Sequence, residues 1–297
     1  MRFVRFFPAG MNPMILKQLY LESVHRLADA GVVEPEIEVA LLLGHVLGYS
    51  RSQFFLALEQ ELPPQQLSLY NPLLARRLLR EPLAYIIGEQ EFWSLPFKVS
   101  PKVLIPRPET EELLEKILAS VRQDGLPPGS VLDLGVGSGA ITVVLARELA
   151  DRYVFGVDIS VEALGVAREN IGLHQVQPRI FLLNGNWLTA IQQKRRFALV
   201  VSNPPYIDAP AMATLQMEVT FEPQRALSGG VDGLDDIRAL AVQVHPVMVA
   251  GGMFFMEIGA DQQESVLKIF SSFSEYDRLQ VHSDLVGLPR IFQARRC

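Results

Sequence analysis

The chain has 297 residues, a formal net charge of -6 and a sequence pI near 5.5, with 49% apolar and 20% charged residues. This composition excludes global disorder, and the acidic balance argues against a partner held mainly through phosphate contacts, because such proteins carry a basic surface. The single cysteine, Cys297, excludes an intrachain disulfide, and no apolar run approaches the ~20 residues a membrane helix needs, Ile37 to Gly48 and Pro246 to Met256 both being too short.

Met1 to Pro8 carries Arg2 and Arg5 among aromatics and lacks the longer apolar stretch and small-residue cleavage site of a secretory signal. A cytoplasmic protein is expected, with the first ten residues as an extension. From Asn12 to about Ala30, Leu16, Leu19, Tyr20, Val24 and Leu27 form a helical stripe, with Asn12 as N-cap, Pro13 in the first turn and Gly31 just beyond. Pro35 opens a second apolar helix through about Leu47, and a third pattern runs from about Pro64 to Leu79 with a bend expected at Pro72. Between Gly88 and Pro101, short aromatic and β-branched runs split by Ser94-Leu95-Pro96 predict a hairpin. Pro106 and Pro108 then introduce a helix carrying Leu113, Leu114, Ile117, Leu118 and Val121, which ends before Gly125.

After Pro127-Pro128-Gly129, apolar strands alternate with helical patterns: Val131 to Leu134, a helix to Leu149, Tyr153 to Val157, a helix from Ser160, Arg179 to Leu183, and Phe197 to Val201. Met253 to Ile258, a helix from Gln262, and a closing pair at Leu279 to His282 and Arg290 to Ala294 complete the chain. Such alternation predicts an α/β domain, a mostly parallel sheet covered on both faces. The expected division is a helical domain over 1–82, a β-hairpin linker over 83–105 and the α/β domain over 106–297.

Strand Val131 to Leu134 runs into Gly135-Val136-Gly137-Ser138-Gly139, a glycine-rich turn that starts a helix. Glycine lets an adenosine-type ligand approach the backbone, and the helix N-terminus offers free N–H groups. Asp158 follows Gly135 by 23 residues at the end of the next strand, where an acid can accept hydrogen bonds from both ribose hydroxyls. Taken alone the turn also fits a nicotinamide site, and Asp158 also fits a cap ahead of Ser160. Asp133 fits two roles equally, a partner for the ammonium of a methionine-like tail and a structural acid.

The fourth strand ends in Ser202-Asn203-Pro204-Pro205-Tyr206, on the same rim of the sheet as the glycine turn. Two consecutive prolines make a stiff loop that presents carbonyl acceptors, which is what an NH₂ group needs. A carboxamide or aniline nitrogen is planar, its lone pair delocalised, and it is a poor nucleophile towards a methyl sulfonium. If Asn203 and the Pro204 carbonyl accept its two N–H bonds, the nitrogen is aimed and its developing charge stabilised, while Tyr206 stacks on the flat group. No general base stands out, and none is required if the proton is lost to water after transfer. No metal site is predicted.

In these stretches the sequence resembles the release-factor glutamine methyltransferases, the PrmC/HemK family, over nearly its whole length. The Asn203 to Tyr206 loop is shared with adenine-N6 DNA methyltransferases, but Arg80 to Gly88, Glu91-Phe92-Trp93, Leu104 to Glu111, Phe221-Glu222-Pro223, Gly229 to Leu234 and Glu257-Ile258-Gly259 are similar to this family in particular. The resemblance implies an N-terminal helix bundle that recognises substrate, a hairpin linker and a seven-stranded, Rossmann-like S-adenosylmethionine-dependent methyltransferase domain. It implies N5 methylation of the glutamine in the Gly-Gly-Gln tripeptide of class I peptide chain release factors. A monomer is expected, without direct nucleic-acid or membrane partners. Carried onto this chain, the cofactor contacts are Gly135, Val136, Gly137, Ser138, Gly139, Asp158, Trp187 and Asn203, with Asn203, Pro204, Pro205 and Tyr206 gripping the glutamine. Trp187 fits both a ring against adenine and ordinary core packing, and Val136 stands where the family usually has threonine. Glu222 fits both an orderer of the substrate loop and a surface acid. The competing reading is an adenine-N6 nucleic-acid methyltransferase, which faces the same planar-nitrogen problem.

Overall fold

The computed structural model describes residues 14–192, 194 and 196–297. The chain divides between Ile87 and Gly88 into two compact units. Asn12 and Pro13, expected at the start of the first helix, lie outside the described residues, as do the first ten.

In the first unit Met14–Ile15 (β1) pairs with Glu61–Leu62 (β2), and the helices are Leu16–Asp29 (α1), Pro35–Leu47 (α2), Arg51–Leu56 (α3), Pro64–Leu78 (α4) and Leu83–Ile87 (α5). The first helix starts at Leu16 because Met14 and Ile15 are extended in the β1 pairing. The fourth helix runs through Pro72 without a break. Leu16, Leu19, Leu27, Leu42, Leu43, Phe54 and Tyr70 share one core. Arg77, buried on α4, forms an ion pair with Glu38 of α2, so the charge it carries into the core is met there. The short α3, absent from the helices predicted from periodicity, is held by a reciprocal cap: Ser50 Oγ accepts from Gln53 N and Gln53 Oε1 accepts from Ser50 N.

The second unit opens with an antiparallel hairpin, Glu89–Phe92 (β3) and Leu95–Lys98 (β4). Its turn is Trp93-Ser94, both at positive φ (55° and 54°), and not the predicted Ser94-Leu95-Pro96. A two-residue turn of this hand matches strand twist, and it leaves Pro96 inside β4, opposite Glu91. Phe92 and Phe97 are buried with Leu113, Leu114 and Ile117 of the helix Pro108–Asp124 (α6).

Strands Ser130–Leu134 (β5), Val154–Asp158 (β6), Ile180–Asn184 (β7), Phe197–Ser202 (β8), Met248–Glu257 (β9), Tyr276–Ser283 (β10) and Pro289–Arg296 (β11) form a seven-stranded sheet in the order β10-β11-β9-β8-β5-β6-β7. The five strands from β5 to β9 pair in parallel, while β11 is antiparallel to both β9 and β10. Between the strands lie Ala140–Glu148 (α7), Val161–Leu173 (α8), the short Ala209–Met212 (α9), Asp235–Gln243 (α10) and Gln263–Ser271 (α11). Side chains alternate across the sheet: Val131, Leu199, Val201, Met253 and Phe255 pack with α6, α7 and α8, whereas Leu132, Val200, Phe254 and Met256 pack with α10 and α11. This period of two is why the strands read as continuous apolar runs. The chain leaves β5 for β6 on one side and returns to β8 on the other, so the carboxyl ends of β5 and β8 flank the point where the winding reverses.

Candidate active site

Strand register brings the motifs together. Leu134 is level with Ser202, and Ser202 with Met256, so Gly135, Asn203 and Glu257 follow one another across the rim of three adjacent strands. Ser202 Oγ donates to the Leu134 carbonyl at 2.8 Å, tying the ends of β5 and β8. A cavity of about 540 Å³ opens at this rim, lined among others by Gly135, Asp158, Trp187, Asn203 and Pro205. Val136, Gly137 and Ser138 also line it, whereas Gly139, Pro204 and Tyr206 do not.

Gly139 shapes the turn instead. It is the N-cap of α7 at φ 84°, and a Cβ there would stand 3.1 Å from the Cβ of Ala167 on α8. At Gly135, φ 85°, a Cβ would point at the Trp187 ring, 3.6 Å away, in the space a ligand would enter. Asp158 is engaged by the backbone: Oδ2 accepts from Gly137 N and Oδ1 from Ser160 N, each at 2.8 Å. It therefore braces both the glycine turn and the start of α8; Asp158 also lines the cavity, and two accepted bonds leave its carboxylate with lone pairs to spare. Trp187 contributes a cavity wall and also packs at the edge of the core, with Nε1 donating to Asp236 Oδ1 at 2.8 Å. Burial pushes the Asp236 carboxyl up, opposed by that indole bond.

Asp133 does not line the cavity. It is fully buried behind the turn, where Thr142 donates to Oδ2 and Oδ1 has no hydrogen-bond partner. Burial pushes its carboxyl up to about 7, with the Thr142 hydroxyl opposing and Asp158 adding to the rise.

The Asn203 to Tyr206 loop is held from behind. Asn203 Nδ2 donates to Thr110 Oγ1 at 3.1 Å, Thr110 Oγ1 donates to Glu257 Oε2 at 2.7 Å, and Tyr206 Oη donates to Glu257 Oε1 at 3.1 Å. Gln262 Nε2 donates to the Tyr206 carbonyl at 3.0 Å. Burial raises the Tyr206 hydroxyl, and the neighbouring Glu257 charge adds to it, so this phenol stays protonated and works as a donor. Glu222 is buried and accepts from Ile105 N at 3.1 Å and from Arg107, strapping the chain before α6 to the segment at Pro223; Arg107 and Pro223 both line the cavity. Thr110, Glu257 and Asp236 received no role from sequence reasoning. Thr110 and Glu257 lie 147 residues apart, and only the register of β9 and the docking of α6 join them.

Residues 18–88 match the PrmC N-terminal domain and residues 110–230 match the methyltransferase small domain. The release factor glutamine methyltransferase of Moorella thermoacetica is 40% identical over 283 residues, 95% of this chain and 99% of that relative. Its counterpart from Caulobacter vibrioides is 40% identical over 258 residues, 86% of this chain and 88% of its own length. Among solved structures, a methyltransferase from Pyrococcus furiosus aligns with TM-score 0.50 at 17% identity, covering 78% of this chain and 97% of its own. The catalytic domain of hMettl16, solved with an MAT2A 3'UTR hairpin, aligns with TM-score 0.53 at 13% identity over 75% of this chain and 80% of its own. At these identities the structural likeness is one of fold. Among the described residues no helix is long and apolar enough to cross a membrane.

Proposed function

The chain belongs to the release factor glutamine methyltransferases, and from that premise we propose that it methylates the side-chain N5 of the glutamine in the Gly-Gly-Gln tripeptide of class I release factors, with S-adenosylmethionine as donor. The observation that carries this reading is a single cavity bordered by a glycine turn, an acid, an indole and the amide of Asn203. Gly135 to Ser138, Asp158 and Trp187 fit a nucleoside, with Gly139 shaping the turn behind them: the turn has no Cβ where Trp187 faces it, and the volume suits a small-molecule site. When bound, S-adenosylmethionine supplies an electrophilic methyl group on a sulfonium centre.

The residues of the chain do the rest. Asn203 Oδ1 and the Pro204 carbonyl accept the two N–H bonds of the substrate amide, holding one face of the planar nitrogen open and stabilising the positive charge that develops on it. Tyr206, tied by its hydroxyl to Glu257, stiffens the loop from behind. The proton is released to water once the nitrogen has become acidic. Asp158 has a dual role in this reading, bracing the turn and accepting from the ribose. Residues 1–82 serve as the release-factor recognition domain, 83–105 as linker and 106–297 as the methyltransferase domain.

Asn203→Ala should lower methyl transfer at least ~100-fold while cofactor affinity stays within a few-fold, the pattern for loss of an orienting contact in the transition state. Near-normal turnover in that variant would reject the role given to Asn203. Incubation with labelled S-adenosylmethionine and either purified release factor or DNA separates the protein-glutamine reading from an adenine methyltransferase: label in the release factor is expected, and label in DNA alone would overturn it.

A further inference from the structure

A carboxamide has two faces of nearly equal shape and opposite hydrogen-bonding sense, so Asn203 can serve an NH₂ substrate only if its oxygen points outward. Its surroundings decide which way it points. Thr110 Oγ1 lies 2.7 Å from Glu257 Oε2 and 3.1 Å from Asn203 Nδ2. A threonine hydroxyl has one proton, and an ionised carboxylate accepts only. With that proton committed to Glu257, Thr110 can only accept from Asn203, and what it accepts must be the amide N–H.

We propose that Glu257, acting through Thr110, fixes the Asn203 amide with Oδ1 turned to the substrate nitrogen, which makes Glu257 and Thr110 positioning residues for methyl transfer. The inference rests on the reading of Asn203 given above. Both positioning side chains are buried, Thr110 at 5% exposure on the edge of the cavity and Glu257 at 2% behind it, so a partner lost at Glu257 is not replaced by solvent at low cost. Tyr206 occupies the other oxygen of Glu257, which leaves Oε2 for Thr110. Burial pushes the Glu257 carboxyl up; the two hydroxyl donors and Arg290 of β11 oppose that rise, while Glu109 at the start of α6 adds to it. A proton on Oε2 would reverse the chain: Glu257 would donate to Thr110, Thr110 to Asn203 Oδ1, and the amide would show the substrate its own NH₂.

The test uses the full chain with purified release factor and compares Thr110→Ser, Thr110→Val, Glu257→Gln and Asn203→Ala. Valine keeps the shape of threonine without the hydroxyl, and serine keeps the hydroxyl without the shape. Thr110→Ser should hold kcat within ~3-fold, whereas Thr110→Val and Glu257→Gln should lower kcat at least ~10-fold with cofactor binding by calorimetry unchanged within a few-fold. A glutamine at 257 has one acceptor atom where the carboxylate has two, so it loses one of the two hydroxyl bonds and, whenever its NH₂ faces Thr110, reverses the chain. Thr110→Val at wild-type kcat, or Thr110→Ser as impaired as Thr110→Val, overturns the proposal, the latter because it would mark a packing role. If Asn203→Ala abolishes turnover while Thr110→Val does not, only the positioning chain fails. If Asn203→Ala itself retains turnover, the reading beneath it fails as well.

Discussion

Asp133 sits in the second unit's core with one carboxylate oxygen bonded to Thr142 and the other without a partner. Because burial raises its folded-state pKa to about 7 from an ordinary 3.8, folding takes up a proton between those values. The stabilising contribution is complete below the unfolded pKa and is lost as pH rises through about 7. The melting temperature of the cofactor-free protein should therefore fall more steeply, or rise less, from pH 5 to pH 7 in wild type than in Asp133→Asn, which cannot ionise; equal slopes would count against a carboxyl titrating there. In sequence this residue fitted an ammonium partner and a structural acid equally, and the choice depends on which face of β5 it occupies. Asp133 lies beside Thr142 of α7 and away from the cavity lining. The two readings of Asp158, ribose acceptor and cap, are compatible, because the backbone N–H groups of Gly137 and Ser160 use only part of a carboxylate's acceptor capacity. Trp187 likewise is both wall and packing residue.

At the scale of elements, legibility followed hydrophobic period. All seven strands of the sheet overlap runs marked from sequence; β5 and β8, buried at nearly every position, read as continuous apolar runs, whereas the edge strand β10 is largely exposed and polar. Helices α3, α5, α9 and α10 have no counterpart in the sequence reading, α5 lying within the stretch expected as linker; α3 and α10 carry other signals, the Ser50 and Gln53 cap in one and Asp235-Asp236 in the first turn of the other, where acidic side chains favour the positive end of the helix dipole. Missing α10 hid Asp236, the partner of Trp187. The hairpin turn was displaced by one residue because Trp93 and Ser94 take positive φ without a glycine to announce it. The loop after β8 shows the tightest element packing near the site. Gly229 N donates to the Ile207 carbonyl at 2.9 Å, and a Cβ on Gly229 would stand 2.7 Å from the Gly233 carbonyl oxygen and 2.8 Å from that of Pro205. Gly229→Ala should displace the Asn203 to Tyr206 loop and lower methyl transfer at least ~10-fold, with the melting temperature down by only a few degrees. Full activity would show that the loop tolerates the shift.

For the whole molecule, the division of labour follows the two compact units. Every residue lining the cavity belongs to the unit from Gly88 onward, while the unit ending at Ile87 has its own core and matches the PrmC N-terminal domain over residues 18–88. A chain beginning at Gly88 should bind a cofactor analogue within a few-fold of wild type but show a KM for release factor raised at least ~10-fold, the signature of lost uniform binding. An unchanged KM would remove recognition from the helical unit. The net charge of -6 agrees with a protein substrate, and the planar-nitrogen chemistry was legible from Asn203-Pro204-Pro205-Tyr206; the chain that orients the amide was not, since it joins α6 to β9 through space alone. The most direct measurement is a crystal structure of the full chain with S-adenosylhomocysteine and a Gly-Gly-Gln peptide. Asn203 Oδ1 and the Pro204 carbonyl should each lie about 3 Å from the glutamine amide nitrogen, with that nitrogen facing the sulfur. A glutamine amide held elsewhere, or a sulfur remote from residues 203–206, would contradict the proposed mechanism.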